Sequence, residues 1–562
     1  MKKIALFSDG TGSSSSNAQK TNVWRAYQAL DRRPGSGQIA FYDNGVGTSS
    51  FRPLAILGLA FGFGLARNVQ EIYRFVCQTY REGDEIYGFG FSRGAFTMRV
   101  VAALICSQGI IDIDKAEDER ELDRWVAAAY HRFRKDSFTP SFLSYFLRPV
   151  RDVLLGVVNK LTGRRPYDPL NNIGYIPKPE SGQPADQKAG YPLIKFLGVW
   201  DTVDAYGLPI DEYTRAWDMV VWPLTAKERN CSPRIERACQ ALALDEQRES
   251  YEPALWNERG EPPSQTIDGE RISQVWFAGV HSNVGGSYPD DSMALVPLNW
   301  MLDQSEKKKG LTFLPDERQR LQDQANGNGP HYDSRKGIGV FYRYAPRNLE
   351  RLCHEKRPGL ANWLKELFGH SDAKANEVHI SQPKIHYTVF ERIKESGDGY
   401  APINLPADYA IVHDNGDIEP IAEVGAATRE KTTQAETRRL HQAHIWNKVW
   451  GLKLQYVLTF FLIICWISYP YMTRHDPRSS AVVGDLFSGT FGDAIVLIPI
   501  LVSVFSDVVS DILNLVGTIP VLGLAVSWVA DWAAGYVNFP YAFTVFLALI
   551  GLLWLWQSWA QA

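Results

Sequence analysis

Cysteine is scarce in this 562-residue chain, with six residues (Cys77, Cys106, Cys231, Cys239, Cys353 and Cys465), no CxxC pair and no regular spacing. That pattern argues against a disulfide framework or a zinc site and reads as reduced, buried thiols; no metal and no cofactor is expected. An excess of charge of one sign is lacking too. The 59 Lys and Arg stand against 63 Asp and Glu, a net charge of −4, and no strongly basic domain stands out, so nucleic acid is excluded as an obligatory partner. The opening MKKIALFSDGTG has two lysines but an apolar stretch of only four residues, so no signal peptide is expected. GTGSSSS lacks the GK[ST] ending of a phosphate loop, which argues against a nucleoside triphosphate. No internal repeat is visible.

Hydrophobic residues make up 45% of the chain and charged residues 22%, ordinary for a protein with a sizeable core, and the length calls for two or three units. The apolar residues are unevenly spread. Residues 1–450 read as soluble, whereas the last 110 read as membrane. Tyr456 to Tyr471 and Tyr541 to Trp559 carry no charge over sixteen and nineteen residues, close to the ~20 needed to cross a bilayer. Two weaker stretches, 494–506 and 512–530, are broken by Pro499, Asp507, Asp511 and Pro520. Two buried core helices of a soluble domain are the alternative reading. Arg429, Lys431, Arg438, Arg439, Lys448 and Lys453 flank the first stretch, and the positive-inside rule then places the N-terminal part in the cytoplasm.

Within the soluble part, apolar strands alternate with amphipathic helices. Ile4–Ser8, Ile39–Tyr42, Glu85–Phe91, Lys195–Trp200 and Gln274–Val280 read as strands. Thr21–Leu30, 65–82, Ala95–Cys106, 234–245 and 292–304 read as helices. Such alternation predicts an α/β fold of the α/β-hydrolase type, a mostly parallel sheet with helices on both faces, followed by a C-terminal helical membrane region. Expected boundaries are 1–310 for the hydrolase, with 138–190 as an insertion or lid, 311–445 for an irregular accessory region packing on it, and 446–562 for the membrane region. Residues 138–166 form an amphipathic stretch that suits a lid, a membrane-facing segment or a plain surface helix.

The chemistry centres on Gly90-Phe91-Ser92-Arg93-Gly94, a G-x-S-x-G sequence that an apolar strand enters and a small-residue helix leaves. This context is what a nucleophile elbow requires: a serine exposed on a sharp turn, with Gly90 and Gly94 allowing close approach of the chain. A serine hydroxyl needs a base, and the base needs an orienting group. The order Ser…Asp…His places Asp201, closing KFLGVW, as the acid and His281, closing QVWFAGV, as the base. Asp204 is the rival acid and Asp245 a more remote one. The oxyanion hole should use the N–H of Arg93 and a second from Gly10 or Thr11, unless Asp9 merely closes a turn there. Gly88 to Gly94 also resembles a dinucleotide loop, but no strand ending in an acid follows ~20 residues later.

FSDGTG, TNV, YDNGVGT, the unit from Gly64 to Ile105, FLGVWDTVDAYG, ALALDEQR, QVWFAGVHSNVGGSYPD and LNWML follow one another over about residues 2–305. This succession resembles the α/β-hydrolase family that includes the Tle-type phospholipase effectors of type VI secretion. The resemblance implies a Ser-Asp-His lipase or esterase for phospholipid acyl esters, and maps onto Ser92, Asp201 and His281. It also implies a lipid or membrane partner, and an immunity protein or secretion-machinery component. The family's histidine motif often reads His-Ser-Asp-Val-Gly-Gly. Asn283 occupies the Asp place here, which leaves the triad intact and alters a supporting contact or ion site. A thioesterase or esterase for soluble substrates, or a membrane-acting interaction or toxin protein whose hydrolase domain is secondary, are the competing functions.

Overall fold

A computed structural model of the chain describes residues 1–10, 19–44, 63–137, 175–176, 194–203, 230–335, 344–354, 378–395, 399–406 and 408–421, with isolated helical positions within 451–465 and 546–552. The chain divides into two compact units, Met1–Ala443 and His444–Ala562. Most of 138–190, the basic flank at 429–453 and nearly all of the C-terminal apolar stretches lie outside the described residues. Among the described residues, no helix is long and apolar enough to cross a membrane.

The first unit is built on a nine-stranded sheet. Its strands are β1 (Lys3–Ser8), β2 (Gln38–Asp43), β3 (Glu85–Phe91), β4 (Ile194–Trp200), β5 (Ala238–Ala243), β6 (Ile272–Phe277), β7 (Lys384–His386), β8 (Ala410–Val412) and β9 (Ile418–Pro420). They lie in the order β9-β8-β7-β6-β5-β4-β3-β1-β2, parallel throughout except for the antiparallel pairing of β9 with β8. The helices are α1 (Asn22–Ala29), α2 (Phe63–Thr79), α3 (Arg93–Gln108), α4 (Glu119–Ser137), α5 (His281–Gly285), α6 (Leu295–Glu306), α7 (Pro315–Asp323), α8 (Leu349–Cys353) and α9 (Tyr387–Glu395).

Alternation along β1 shows why the sheet is covered on both sides. Ile4 and Leu6 pack with Val69, Ile72 and Val76 of α2 and Val101 and Ile105 of α3, while Ala5 and Phe7 pack with Val23 and Ala26 of α1 and Leu298 and Met301 of α6. Successive side chains point to opposite faces, so a strand buried on both reads as a continuous apolar run. The path β1-α1-β2 runs over one face and β2-α2-β3 over the other. The sheet therefore reverses direction between β1 and β3. In open parallel sheets, the carboxyl ends beside such a reversal form the natural crevice.

Two expectations need correction. Residues 234–245 contain β5 rather than a helix. Ala238-Cys239-Gln240-Ala241-Leu242-Ala243 has helix-favouring composition, yet all six residues are buried between β4 and β6 in the middle of the sheet, where small side chains fit under the covering helices. The region after 310 is not merely irregular, because β7, β8 and β9 extend the same sheet from it. Each of these strands has only three residues, too short to show a two-residue period.

Candidate active site

At the end of β3 the chain turns directly into α3, and Ser92 sits on the turn at φ 57° and ψ −123°. A non-glycine residue there is strained by about 1–3 kcal/mol, so the surroundings must hold it. They do so through backbone. The Ser92 N–H donates to Trp200 O at 3.0 Å, and the first turn of α3 lies hard against β3 and the end of β1. A Cβ on Gly90 would lie 2.6 Å from Ala95 Cα, and one on Gly94 would run into the carbonyl oxygens of Ser8 and Asp9. The elbow glycines are thus fixed by close approach. Although Ser92 occupies the cap position of α3, its hydroxyl caps nothing.

Instead, the hydroxyl meets a histidine. Ser92 Oγ lies 2.8 Å from His281 Nε2, and His281 Nδ1 lies 2.6 Å from Asp201 Oδ2. An ionised carboxylate only accepts, so the Nδ1–H donates to Asp201, leaving Nε2 to accept from the serine O–H. All three groups are buried, Ser92 at 6% exposure, His281 at 4% and Asp201 at 0%. Strand ends of β3, β4 and β6 bring them together across 189 residues of sequence. Asp201 also departs from ordinary backbone, at φ 39°.

Burial drives the His281 pKa down, against the opposing pull of Asp201. Burial alone would raise the Asp201 carboxyl, but the Arg347 charge and the hydrogen bonds from His281 and Arg347 outweigh it and hold Asp201 below its ordinary value. The imidazole is therefore neutral and the carboxylate charged near neutral pH, the state a general base requires.

Neighbouring side chains steady the histidine. The ring is flanked by Phe91 at 4.6 Å and, edge-on, by Tyr251 at 4.9 Å. Glu246 is fully buried, accepts the backbone N–H of His281 at 3.1 Å and pairs with Arg248 at 2.9 Å. Asp245 accepts the N–H of Gly279 at 2.6 Å and the Tyr400 hydroxyl at 2.7 Å. So Asp245 ties down the loop that carries His281 and does not orient the ring. Asn283 accepts from the N–H of Val280 at 3.3 Å and donates to Pro330 O at 3.1 Å; an aspartate could not make the second bond. Among the described residues, no cluster of three or more His, Cys, Asp and Glu could hold a metal ion.

The oxyanion residues fall out less simply. Arg93 is the first residue of the sixteen-residue α3, so its N–H belongs to the positive end of the helix dipole. Gly10 lies beside Ser92, where a Cβ would stand 3.6 Å from Ser92 Cβ. Its N–H, however, donates to Asp9 Oδ1 at 2.6 Å. Asp9 also accepts from Thr21 and Tyr42, and its burial pushes the carboxyl above its usual pKa. Thr11 and the rival acid Asp204 lie outside the described residues.

Sequence reasoning missed Arg347, Glu246 and Tyr251. The guanidinium of Arg347 grips Asp201 through two parallel bonds, Nη1 to Oδ1 at 2.7 Å and Nη2 to Oδ2 at 2.8 Å. Glu246 stood in view within ALALDEQR, directly after Asp245. Nothing local marks Arg347, which lies 146 residues beyond its partner.

The family comparison decides the kinship. Residues 2–304 match the family described as T6SS, phospholipase effector Tle1-like, catalytic domain. The chain belongs to this family. An uncharacterized protein of Saccharomyces cerevisiae is 33% identical over 157 residues, which cover 26% of this chain and 22% of the yeast protein. The match thus spans under a quarter of the length of that curated relative. Among solved structures, the chain is similar to an uncharacterized protein from Pseudomonas aeruginosa, with 16% identity, TM-score 0.28, and 58% of this chain and 49% of that one covered. It is also similar to the Tle1 effector solved bound to the VgrG spike of the type 6 secretion system, with 18% identity, TM-score 0.26 and 51% of each chain covered. TM-scores this low carry no argument about the fold. Membership of the Tle1-like catalytic family places the matched segment among phospholipase-type hydrolases.

Proposed function

We propose that this protein is a serine esterase that cleaves phospholipid acyl esters at a membrane. The observation that carries the reading is the chain of hydrogen bonds from Ser92 through His281 to Asp201. His281 takes the serine proton as Oγ attacks the acyl carbonyl, Asp201 steadies the resulting imidazolium, and His281 returns the proton to the leaving alcohol. Water then repeats the sequence and frees the fatty acid. The N–H of Arg93 faces the developing oxyanion at the head of α3. Gly10 becomes the second donor when the Asp9 side chain lets go of its N–H.

Family membership supports phospholipid as substrate and life as a secreted effector, and we infer a spike component and an immunity protein as partners. Lipid contact through the apolar stretches Tyr456–Tyr471 and Tyr541–Trp559 follows from their hydropathy. The test compares wild type with Ser92→Ala on phosphatidylethanolamine and phosphatidylglycerol vesicles and on short soluble acyl esters. Fatty acid released from vesicles by wild type alone is the expected result. Equal release by both proteins would remove the triad, and cleavage of soluble esters only would replace the lipase with a soluble-substrate esterase.

A further inference from the structure

We propose that Arg347 is a positioning residue for the reaction, clamping the Asp201 carboxylate in register with His281 and tempering the charge that it offers to the imidazole. The inference rests on the triad reading and goes beyond it, since Arg347 lies past the segment that matches the family.

Both oxygens of the Asp201 carboxylate are fully engaged, while Arg347 uses its two Nη atoms and leaves its buried Nε unpaired. Asp201 Oδ1 accepts from Arg347 Nη1 at 2.7 Å and from the N–H of Ala243 at 3.0 Å. Its Oδ2 accepts from His281 Nδ1 at 2.6 Å and Arg347 Nη2 at 2.8 Å. Four donors fill the roughly four acceptor sites of a carboxylate, so its plane has one orientation. The remaining Nη bonds of Arg347 go to Ala243 O and Tyr251 O, both at 2.5 Å. Arg347 thereby joins the end of β5, the acid at the end of β4 and the residue whose ring packs on His281. Its backbone is anchored too. Tyr344 bridges antiparallel to Arg248, the Ala345 N–H donates to Gln247 O at 2.7 Å, and Asn348 caps α8, whose Leu349, Leu352 and Cys353 are buried.

Arginine suits this task because its planar fork fixes direction as well as charge. The charged groups that bear on the histidine are Asp201 at its ring, Glu246 at its backbone N–H, and Arg248, which pairs with Glu246. Arg347 acts through the first of these. With its positive charge removed, Asp201 would stabilise imidazolium more strongly, and His281 would keep its proton to higher pH.

An alkyl fluorophosphonate reads this without knowledge of the substrate. Ser92 Oγ bonds to phosphorus, the P–F bond breaks, fluoride leaves and His281 takes the serine proton. Labelling rates would be measured from pH 4 to 9 on the full chain, with Ser92→Ala as control and thermal melting for each variant. Arg347→Met should move the acid limb up by about one pH unit. It should also lower the plateau by about 10²-fold, the scale of a misplaced catalytic group. Arg347→Lys keeps the charge and loses the fork, so its limb should stay while its plateau falls at least tenfold. In an Asp201→Asn background, Arg347→Met should change neither. Unchanged limb and plateau in both Arg347 variants would overturn the inference and leave the triad standing. Should Arg347→Met fail to fold, a plateau for Arg347→Lys within twofold of wild type overturns it alone. Labelling of Ser92→Ala at the wild-type rate would instead remove the triad reading.

Discussion

The nine strands form two unequal sets. β1 to β6 are six or seven residues long, almost wholly buried except for the edge strand β2, and lead to Ser8, Ser92, Asp201 and the loops to Asp245 and His281. β7 to β9 have three residues each and border solvent at β9. The long set is held by apolar cover on both faces and carries the proposed triad at its strand ends. The short set shares that cover through Ile385 and Val412 and adds one buried charge to it. Lys384 of β7 is buried and reaches Glu258 at 3.1 Å and Glu270 at 3.0 Å, bonding to the loop before β6 and the residues around it. The difference teaches that one sheet can hold a half whose strand ends carry the proposed chemistry and a supporting half of short strands braced at β7 by a buried lysine between two glutamates. Arg347, from the stretch leading to β7, carries the same solution into the active site.

Four changes test that division. His281→Ala strikes the reactive half and should lower ester turnover on the order of 10⁴-fold or more with melting nearly unchanged, checked by product release beside calorimetry. A comparable loss of melting temperature would mean that the histidine is mainly structural. Lys384→Met strikes the supporting half and leaves two glutamates without their partner. It should cost about 3 kcal/mol in urea unfolding, with turnover of the remaining folded protein unchanged. Lost turnover there would blur the two sets.

His386, next to Thr388 at 2.9 Å and stacked on Phe277, gives a pH-dependent test. Burial drives its pKa from 6.5 down to about 3. Between those values the unfolded chain binds a proton that the folded one does not, so stability falls as pH drops below 6.5. From pH 7 to 5 the loss from this residue is about 2 kcal/mol. His386→Gln should lose that much less over the same interval, by paired denaturation curves. The smallest effect belongs to Asn283→Asp, which gives up the bond to Pro330 O and should cost about 1 kcal/mol with the serine still reactive toward fluorophosphonate. Stabilisation instead would assign that position to a cation.

Much of the reactive half is legible from sequence because its signals are local. Glu85–Phe91 is an unbroken apolar strand, two glycines bracket Ser92, and Asp201 and His281 each close a strand. The helix expected over 234–245 fails because alanine, leucine and glutamine favour helix in isolation, whereas placement between two parallel strands decides otherwise. The supporting half escapes notice because three-residue strands have no period and because ion pairs such as Arg347–Asp201 join distant positions. Gly10 is a different case. Its place beside Ser92 follows from the turn after β1, and the bond from its N–H to Asp9 is the turn that the sequence also offered.

Five of the six cysteines are buried, and burial pushes their thiols up to about 11 for Cys231 and Cys239 and about 12 for Cys77, Cys106 and Cys353. Thiolate is the form that oxidants and alkylating agents attack, and at neutral pH these positions hold almost none of it. These five thiols are therefore poor targets while the chain stays folded. Reagents reach these five positions through unfolding, so the rate at which they are modified reads how often the fold opens.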